Sequence, residues 1–433
     1  MNEMARKKKV VIVGAATVQT LSWLKEALKI TLFDRVANLT LFAEASEQQE
    51  LKKIYTLGKA MLTEHDLSID FKMSIIASEA LKDADFVLSM IGLRPSEKDI
   101  QVEKMMFENR LFSSTQYGLA AAFKSVDVIP KVYQLIDQIN LYAEQAWLIN
   151  LSEPSGLVGE AVARYGEIEK YIGVSTISLT FTSCLAETIQ VKPRQLTPTM
   201  LGVSPMNFLI HLIYRNKDRL NEILQSNHPL EPLCPWDRTF LEALEAVPCE
   251  NLKMVYDLDP LTKQFIQDYK DLRSPILKDQ YLESLISDEE VLKKHLNKNR
   301  LNLVHANSVK LLHSMMFDTR DFQVIQTVNN SHVDELEYGI AIEITARITK
   351  DGPIPFHISR MPLQVKGLLG HLKAHEQILL DALYLKDRTK FIGGLFFHPQ
   401  MVKPDIIQQI VQSYEKAFGQ IFREKKEESR EII

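Results

Sequence analysis

The segment VVIVG at residues 10–14 constrains this chain more than any other stretch. An unbroken apolar run closed by a glycine fits a strand buried on both faces, in a parallel sheet covered by helices on each side. The sequence that follows keeps to that plan. Leu21, Leu24, Leu28 and Ile30 hold near-helical spacing over residues 20–32, and LTLF at 39–42 supplies the next strand, so the chain opens β-α-β. Alternation continues with an amphipathic helix at 47–62, strands at 69–73 and 84–91, and a helix at 126–141. The buried strand AWLINL at 146–151, a helix at 157–165 and a last strand at 171–174 follow. This is the order of a Rossmann-like doubly wound parallel sheet, expected to end at 174. Beyond about residue 180 the pattern changes to longer helices and alternating strands. Strands are predicted at 199–203, 207–213, 322–328 and 338–348, and helices within 288–316 and at 363–385 and 403–422, with Pro229, Pro232 and Pro235 breaking the chain between them. The expected fold class is α/β, with a Rossmann-like domain over 1–180 and a mixed α+β C-terminal domain over 181–433.

Size and charge exclude several classes. At 433 residues the chain is long enough for two or three lobes. A formal net charge of −5 leaves no basic excess to neutralise a phosphate backbone, so nucleic acid is not an expected partner. No apolar run approaches the ~18–20 residues of a membrane span, and no membrane partner is expected. Cys184, Cys234 and Cys249 lack CxxC spacing and are too few for a disulfide framework, which places the chain in the cytoplasm. The charged tail REKKEESR at 423–430 reads as a solvated helix end.

The first βα turn is where a dinucleotide would be sought, because glycines there let backbone approach a pyrophosphate at a helix N-terminus. Here Gly14 is followed by Ala15 and Ala16, in a chain with only 16 glycines. The acid expected at the end of the second strand is Ala43, with Glu44 one residue late. Gly14 and Glu44 are therefore the candidate cofactor contacts, against the competing reading of a structural turn with no ligand. His371 and His375 in HLKAH share a helical face, but Leu372 stands where a zincin would place its glutamate, so both are expected at polar surface positions. Asn150 and Glu153 sit at and just past the carboxyl end of the AWLINL strand, where parallel sheets bind ligands. Ser152 and Ser155 flank Glu153 without a GxSxG elbow, and turn chemistry before the next helix explains them equally well.

The order and spacing of the segments carry a resemblance. KKKVVIVGAAT, LKDADFVLSMI, the stretch ending FKSVDVIP, AWLINLSEPSG, YIGVS, LGVSPMNF, VNNSHVDEL and KDGPIP occur in that order over nearly the whole chain. In this the sequence resembles the NAD- and metal-dependent glycoside hydrolases of family 4, a group of 6-phospho-glucosidases, α-galactosidases and α-galacturonidases. That family removes a hydride from C3 of the sugar with NAD. A tyrosine takes the C2 proton, and a divalent ion, usually manganese, is held by a cysteine and a histidine.

Carried over by position, the resemblance puts the metal-ligand cysteine on Ser175, with Thr176 after it, and the metal-ligand histidine on Pro205, after Ser204. The ribose-binding aspartate falls on Ala43. The Gly-Gln-Glu-Thr segment whose acid supports the base becomes Ser113-Ser114-Thr115-Gln116, and the substrate-touching asparagine becomes Glu153 beside Pro154. A substrate arginine falls on Asp99, with Arg94 close by in sequence, and Tyr256, with Tyr269 behind it, stands nearest to the catalytic tyrosine. Asn150 is kept. Cofactor, metal and base support have changed together, which implies a divergent homologue in carbohydrate metabolism that has lost redox-elimination. Such a pseudoenzyme is expected to bind a small sugar or sugar phosphate, or to act as a regulatory partner. The resemblance also implies oligomers, either of this chain or with a paralogue. The alternative is an active NAD- and manganese-dependent glycosidase on a phosphorylated or acidic glycoside.

Overall fold

The computed structural model describes residues 6–111, 113–175, 185–192, 195–225, 236–249, 252 and 302–422. Its first half alternates as the sequence requires: β1 (Lys8–Val13), α1 (Val18–Leu28), β2 (Val36–Phe42), α2 (Gln48–Glu64), β3 (Asp70–Ser74), α3 (Ala77–Leu81), β4 (Phe86–Ser89), α4 (Glu97–Glu108), α5 (Leu119–Tyr142), β5 (Trp147–Asn150), α6 (Ser155–Tyr165) and β6 (Tyr171–Val174). These strands lie in the order β3-β2-β1-β4-β5-β6, all parallel. Val10, Val11 and Ile12 are fully buried, as a strand covered on both faces must be. Helix α5 starts earlier than its expected 126. The run LAAAF at 119–123 shows no amphipathic contrast because it is buried all round, and Gly118 at φ 79° turns the chain into it.

The sheet does not end at β6. Its outer edge pairs antiparallel with β11 (Phe322–Val328), matching Gly173 to Gln326 and Val174 to Ile325. The sheet then runs on through β12 (Ala341–Thr349), β7 (Leu196–Val203), β8 (Met206–Tyr214) and β10 (Val247–Pro248). Two short strands, β9 (Lys217–Asp218) and β13 (Gly352–Pro355), attach to β8 and β12, making 13 strands in one sheet among the described residues. An open β6 edge would present unpaired backbone groups. The partner that closes it lies about 150 residues away, beyond the reach of local periodicity. The strand expected at 338–348 begins at Ala341, because Tyr338 is exposed and Gly339 takes φ 84° in a turn.

Helices complete the layers: α7 (Leu220–Leu224), α8 (Arg238–Leu244), α9 (Asn302–Phe317), α10 (Leu363–Leu385), α11 (Arg388–Phe396) and α12 (Pro404–Phe418). Helix α9 packs on α1, where the buried Trp23 donates its indole N–H to Ser308 Oγ at 3.1 Å. Helix α10 crosses α6 and reaches the sheet at β7. The N-terminal end of α6, just past the carboxyl end of β5, meets the β7–β8 turn, with Ser155 Oγ 3.1 Å from Ser204 Oγ. No described helix is long and apolar enough to cross a membrane. Pro229, Pro232, Pro235, Cys184, Cys234, Tyr256, Tyr269, the charged tail and the first part of the helix expected within 288–316 lie outside the described residues.

Candidate functional site

At the first βα turn the backbone is used internally. Ala15 N–H donates to the Phe42 carbonyl at 3.0 Å and Thr17 N–H to the Ala15 carbonyl at 2.8 Å, while Thr17 Oγ1 caps α1 by accepting from Gln19 N. Gly14 is needed for close approach: at φ 71°, a Cβ there would stand 3.2 Å from the backbone of Met90 and Ile91. Ala15, Ala16 and Ala43 are buried. Glu44 is exposed and pairs with Lys131 at 3.1 Å. Burial pushes the neighbouring Glu47 carboxyl above its ordinary value, and Arg94 opposes that shift. Arg94 thus belongs to a charged group with Glu44, Glu47 and Lys131, and not to the pocket described below.

The end of β5 is occupied by its own turn. Asn150 Oδ1 accepts from Ser152 N at 3.1 Å, and Glu153 Oε2 accepts from Ser155 N at 3.0 Å at the start of α6. Ser152 Oγ meets Ser89 Oγ at 2.6 Å. Both candidate substrate residues are buried, Asn150 beside the Tyr171 hydroxyl. Desolvation pushes the Glu153 carboxyl up to about 7. The Ser155 amide and Lys124 resist this shift, and Glu343 reinforces it.

Ser175 follows β6 directly. Its hydroxyl donates to Glu343 Oε2 at 3.0 Å, and Asn207 Nδ2 donates to the same oxygen at 2.7 Å. Glu343 is a fully desolvated acid in the middle of β12, and burial holds its pKa above the ordinary value despite the two donors. One strand over, Pro205 forms the β7–β8 turn, and its carbonyl accepts from Cys249 Sγ at 3.5 Å. Sequence reasoning did not single out Glu343. The signal was present as the one charge in the buried run AIEITA at the start of this strand, where its apolar neighbours are all core residues.

Under the β7–β8 turn lies a pocket of about 50 Å³. Its walls include Gln116, Pro154, Ser204, Pro205, Glu376 and the ring pair His375 and His398. His375 was expected on the surface, but it is buried, because α11 packs over that face of α10. Its Nδ1 donates to the Gly394 carbonyl at 2.8 Å, and burial lowers its pKa to about 4, so the ring is neutral and Nε2 keeps its lone pair. His398 Nδ1 accepts from Gln400 N at 3.1 Å, which puts its proton on Nε2. His371 stays half-exposed and bonds the Phe397 carbonyl at 3.1 Å. Behind the pocket, Lys373 Nζ is clamped by Glu160 Oε2 at 2.7 Å and Glu376 Oε2 at 2.8 Å, all three side chains buried. Desolvation raises Glu376 to about 7, and Glu160 and Glu343 push the same way.

Two family models match the chain: family 4 glycosyl hydrolase over residues 9–191, and the family 4 glycosyl hydrolase C-terminal domain over residues 200–401. The chain belongs to glycosyl hydrolase family 4. Among its relatives, the probable 6-phospho-beta-glucosidase of Bacillus subtilis is 21% identical over 94% of this chain and 96% of that protein. The 6-phospho-beta-glucosidase of Escherichia coli is 22% identical over 86% and 87%. Among solved structures, the 6-phospho-beta glucosidase of Thermotoga maritima with NAD and glucose-6-phosphate superposes with a TM-score of 0.80 at 15% identity, covering 94% of this chain and 98% of that one. A 6-phospho-alpha-glucosidase from gut microorganisms in complex with NAD and Mn2+ gives 0.78 at 17%, covering 96% and 99%. These structural likenesses confirm the fold.

As a family 4 member the chain is tested by whether its residues fit the family's cofactors. At Ser175 and Pro205, where the resemblance puts the metal ligands, the residues do not fit a divalent ion: the Ser175 hydroxyl and Asn207 Nδ2 both donate to Glu343 Oε2, and Pro205 brings no side-chain ligand. No group of three His, Cys, Asp or Glu among the described residues is placed to hold a metal. At the dinucleotide turn the amides of Ala15 and Thr17 are already bonded, and Ala43 has no side-chain acceptor for a ribose.

Proposed function

We propose that this family 4 homologue in carbohydrate metabolism binds a sugar-like ligand at the β7–β8 pocket without carrying out redox-elimination. The observation that supports this most is the Ser175–Glu343–Asn207 network. The position of the family's metal site is filled by a closed set of hydrogen bonds, with Pro205 in place of the second ligand. A neutral hydroxyl that has already spent its proton on a buried carboxylate is a poor substitute for a thiolate ligand. The ligand stays in the sugar or sugar phosphate class, and assembly as a homo-oligomer or with a catalytically competent paralogue in the cytoplasm accompanies this reading. The division into lobes 1–180 and 181–433 belongs to the proposal too, supported by the two family models meeting between 191 and 200.

The test is calorimetric titration with NAD, with and without Mn2+, alongside a turnover assay on p-nitrophenyl 6-phospho-glucosides. The expected result is no NAD binding tighter than about millimolar, roughly −4 kcal/mol, and no turnover. Saturable NAD binding with turnover overturns the reading in favour of a second one, an active NAD- and manganese-dependent glycosidase on a phosphorylated or acidic glycoside. That relatives of this chain are 6-phospho-beta-glucosidases by name favours this second reading.

A further inference from the structure

The pocket behind Pro205 has an electrostatic character that narrows its ligand, an inference that rests on the ligand-binding reading above. Among the described residues no Lys or Arg side chain lines it. The nearest ammonium, Lys373, is buried and held between Glu160 and Glu376. Of the buried carboxyl groups, Glu376 lines the wall, and Glu343 acts on both it and Glu153. Two buried lysines stand against them, and the second, Lys124, donates to the Gly92 carbonyl and lies 3.8 Å from Asp99. An anionic group entering here would find no cation among the described residues to receive it and would oppose ionisation of the desolvated Glu376.

The polar atoms of the wall suit hydroxyl groups instead. His375 offers the lone pair of Nε2 as an acceptor and His398 offers Nε2–H as a donor, the rings standing edge to face at 4.7 Å. Glu376 keeps Oε1 over Gly156, because Lys373 holds its other oxygen. Ser204 Oγ, 3.1 Å from Ser155 Oγ, serves as either donor or acceptor. A hydroxyl both donates and accepts and can satisfy such a mixed set, whereas a dianionic phosphate only accepts and would leave the His375 acceptor unpaired. At about 50 Å³, against the roughly 10–15 Å³ that one water needs on the same measure, the pocket has room for a few water-sized groups. It would seat the hydroxyl-bearing edge of a sugar ring, with the remainder at the mouth.

We propose that this pocket takes an uncharged polyhydroxylated ligand, the hydroxyl edge of a neutral sugar, and discriminates against phosphorylated and carboxylated sugars. The probes are methyl β-D-glucopyranoside and D-glucose 6-phosphate, titrated into the full-length protein at one ionic strength. The expected result is saturable binding of the neutral glucoside and binding of the phosphate at least tenfold weaker. Ser204→Leu, at a half-exposed turn position, should abolish the glucoside signal with the melting temperature unchanged. Gln116→Lys, which places a cation on the exposed rim, should narrow the gap between the two probes. Tighter binding of glucose 6-phosphate than of the glucoside overturns this inference while leaving the ligand-binding reading intact. Binding of neither probe overturns both. Wild-type affinity for the glucoside in Ser204→Leu removes the pocket as its site.

Discussion

At the scale of single residues, the site is defined by acids placed where water cannot reach them. The folded state raises Glu153 from 4.5 to about 7, so the protonated form is the one the fold prefers. Its contribution is full below about pH 4.5 and is lost as pH rises through about 7, a swing on the order of 3 kcal/mol if the whole shift is realised. Glu153→Gln keeps an oxygen for the Ser155 amide and cannot ionise. Urea unfolding should therefore find the variant close to wild type at pH 4.5 and more stable at pH 8. Parallel stability profiles for the two proteins would show that Glu153 is not held protonated. Lys373 makes the opposite case, a buried cation whose removal strands two carboxyls. Lys373→Met should cost about 3–5 kcal/mol at pH 8. The loss should shrink at pH 5, where Glu376 can take a proton, and an equal loss at both pH values would mean that packing rather than charge carries the effect. Much of this was not legible beforehand. Asn150 and Glu153 were found because a strand end can be read from hydropathy. Their engagement by Ser152 and Ser155 follows from local turn geometry, and the convergence of Glu343 and Glu376 needs elements far apart in the chain.

At the scale of elements, α6 is the joint between the parallel half of the sheet and the site. Gly159 is there because Gln326 on β11 comes so close that a Cβ would overlap its side-chain amide, and the same Gln326 accepts from the Tyr171 hydroxyl at 2.7 Å and donates to the Ser155 carbonyl at 3.1 Å. Gly159→Ala should lower stability by about 1–3 kcal/mol through overpacking. Combining it with Gln326→Ala should cost less than the sum of the two single changes, since the clash and the lost hydrogen bonds share one side chain. Additive losses in thermal unfolding would place the strain elsewhere. Elements with strong periodicity were read closely: α10 occupies its expected 363–385 and β11 its expected 322–328. Boundaries slipped where burial hid the pattern, as in the LAAAF start of α5, or where a turn intervened, as at Gly339 before β12.

At the scale of the whole molecule, the continuous sheet ties the two halves together. Residues 173 and 174 pair with 326 and 325, and α9 from the second half fills the face of α1 in the first through the Trp23–Ser308 contact. Neither half can lose its strands without opening an edge in the other. Calorimetric unfolding should therefore show one cooperative transition, with calorimetric and van't Hoff enthalpies in agreement. Two resolved transitions would mean that the β6–β11 ladder is too weak to couple the lobes.

The sequence by itself determined the parallel half of the sheet, from VVIVG to YIGV, because strands buried on both faces write themselves as local apolar runs. It also carried the resemblance that sets Ser175 and Pro205 at the family's metal-ligand positions, a reading that belongs to the proposal. Only the tertiary structure decided what surrounds those residues. Ser175 meets Glu343 across 168 positions, His375 is buried by a helix that follows it, and Lys373 is neutralised by Glu160 across 213. Hydrogen bonds and desolvation depend on distance in space, and the chain encodes that distance only through the packing of the whole fold.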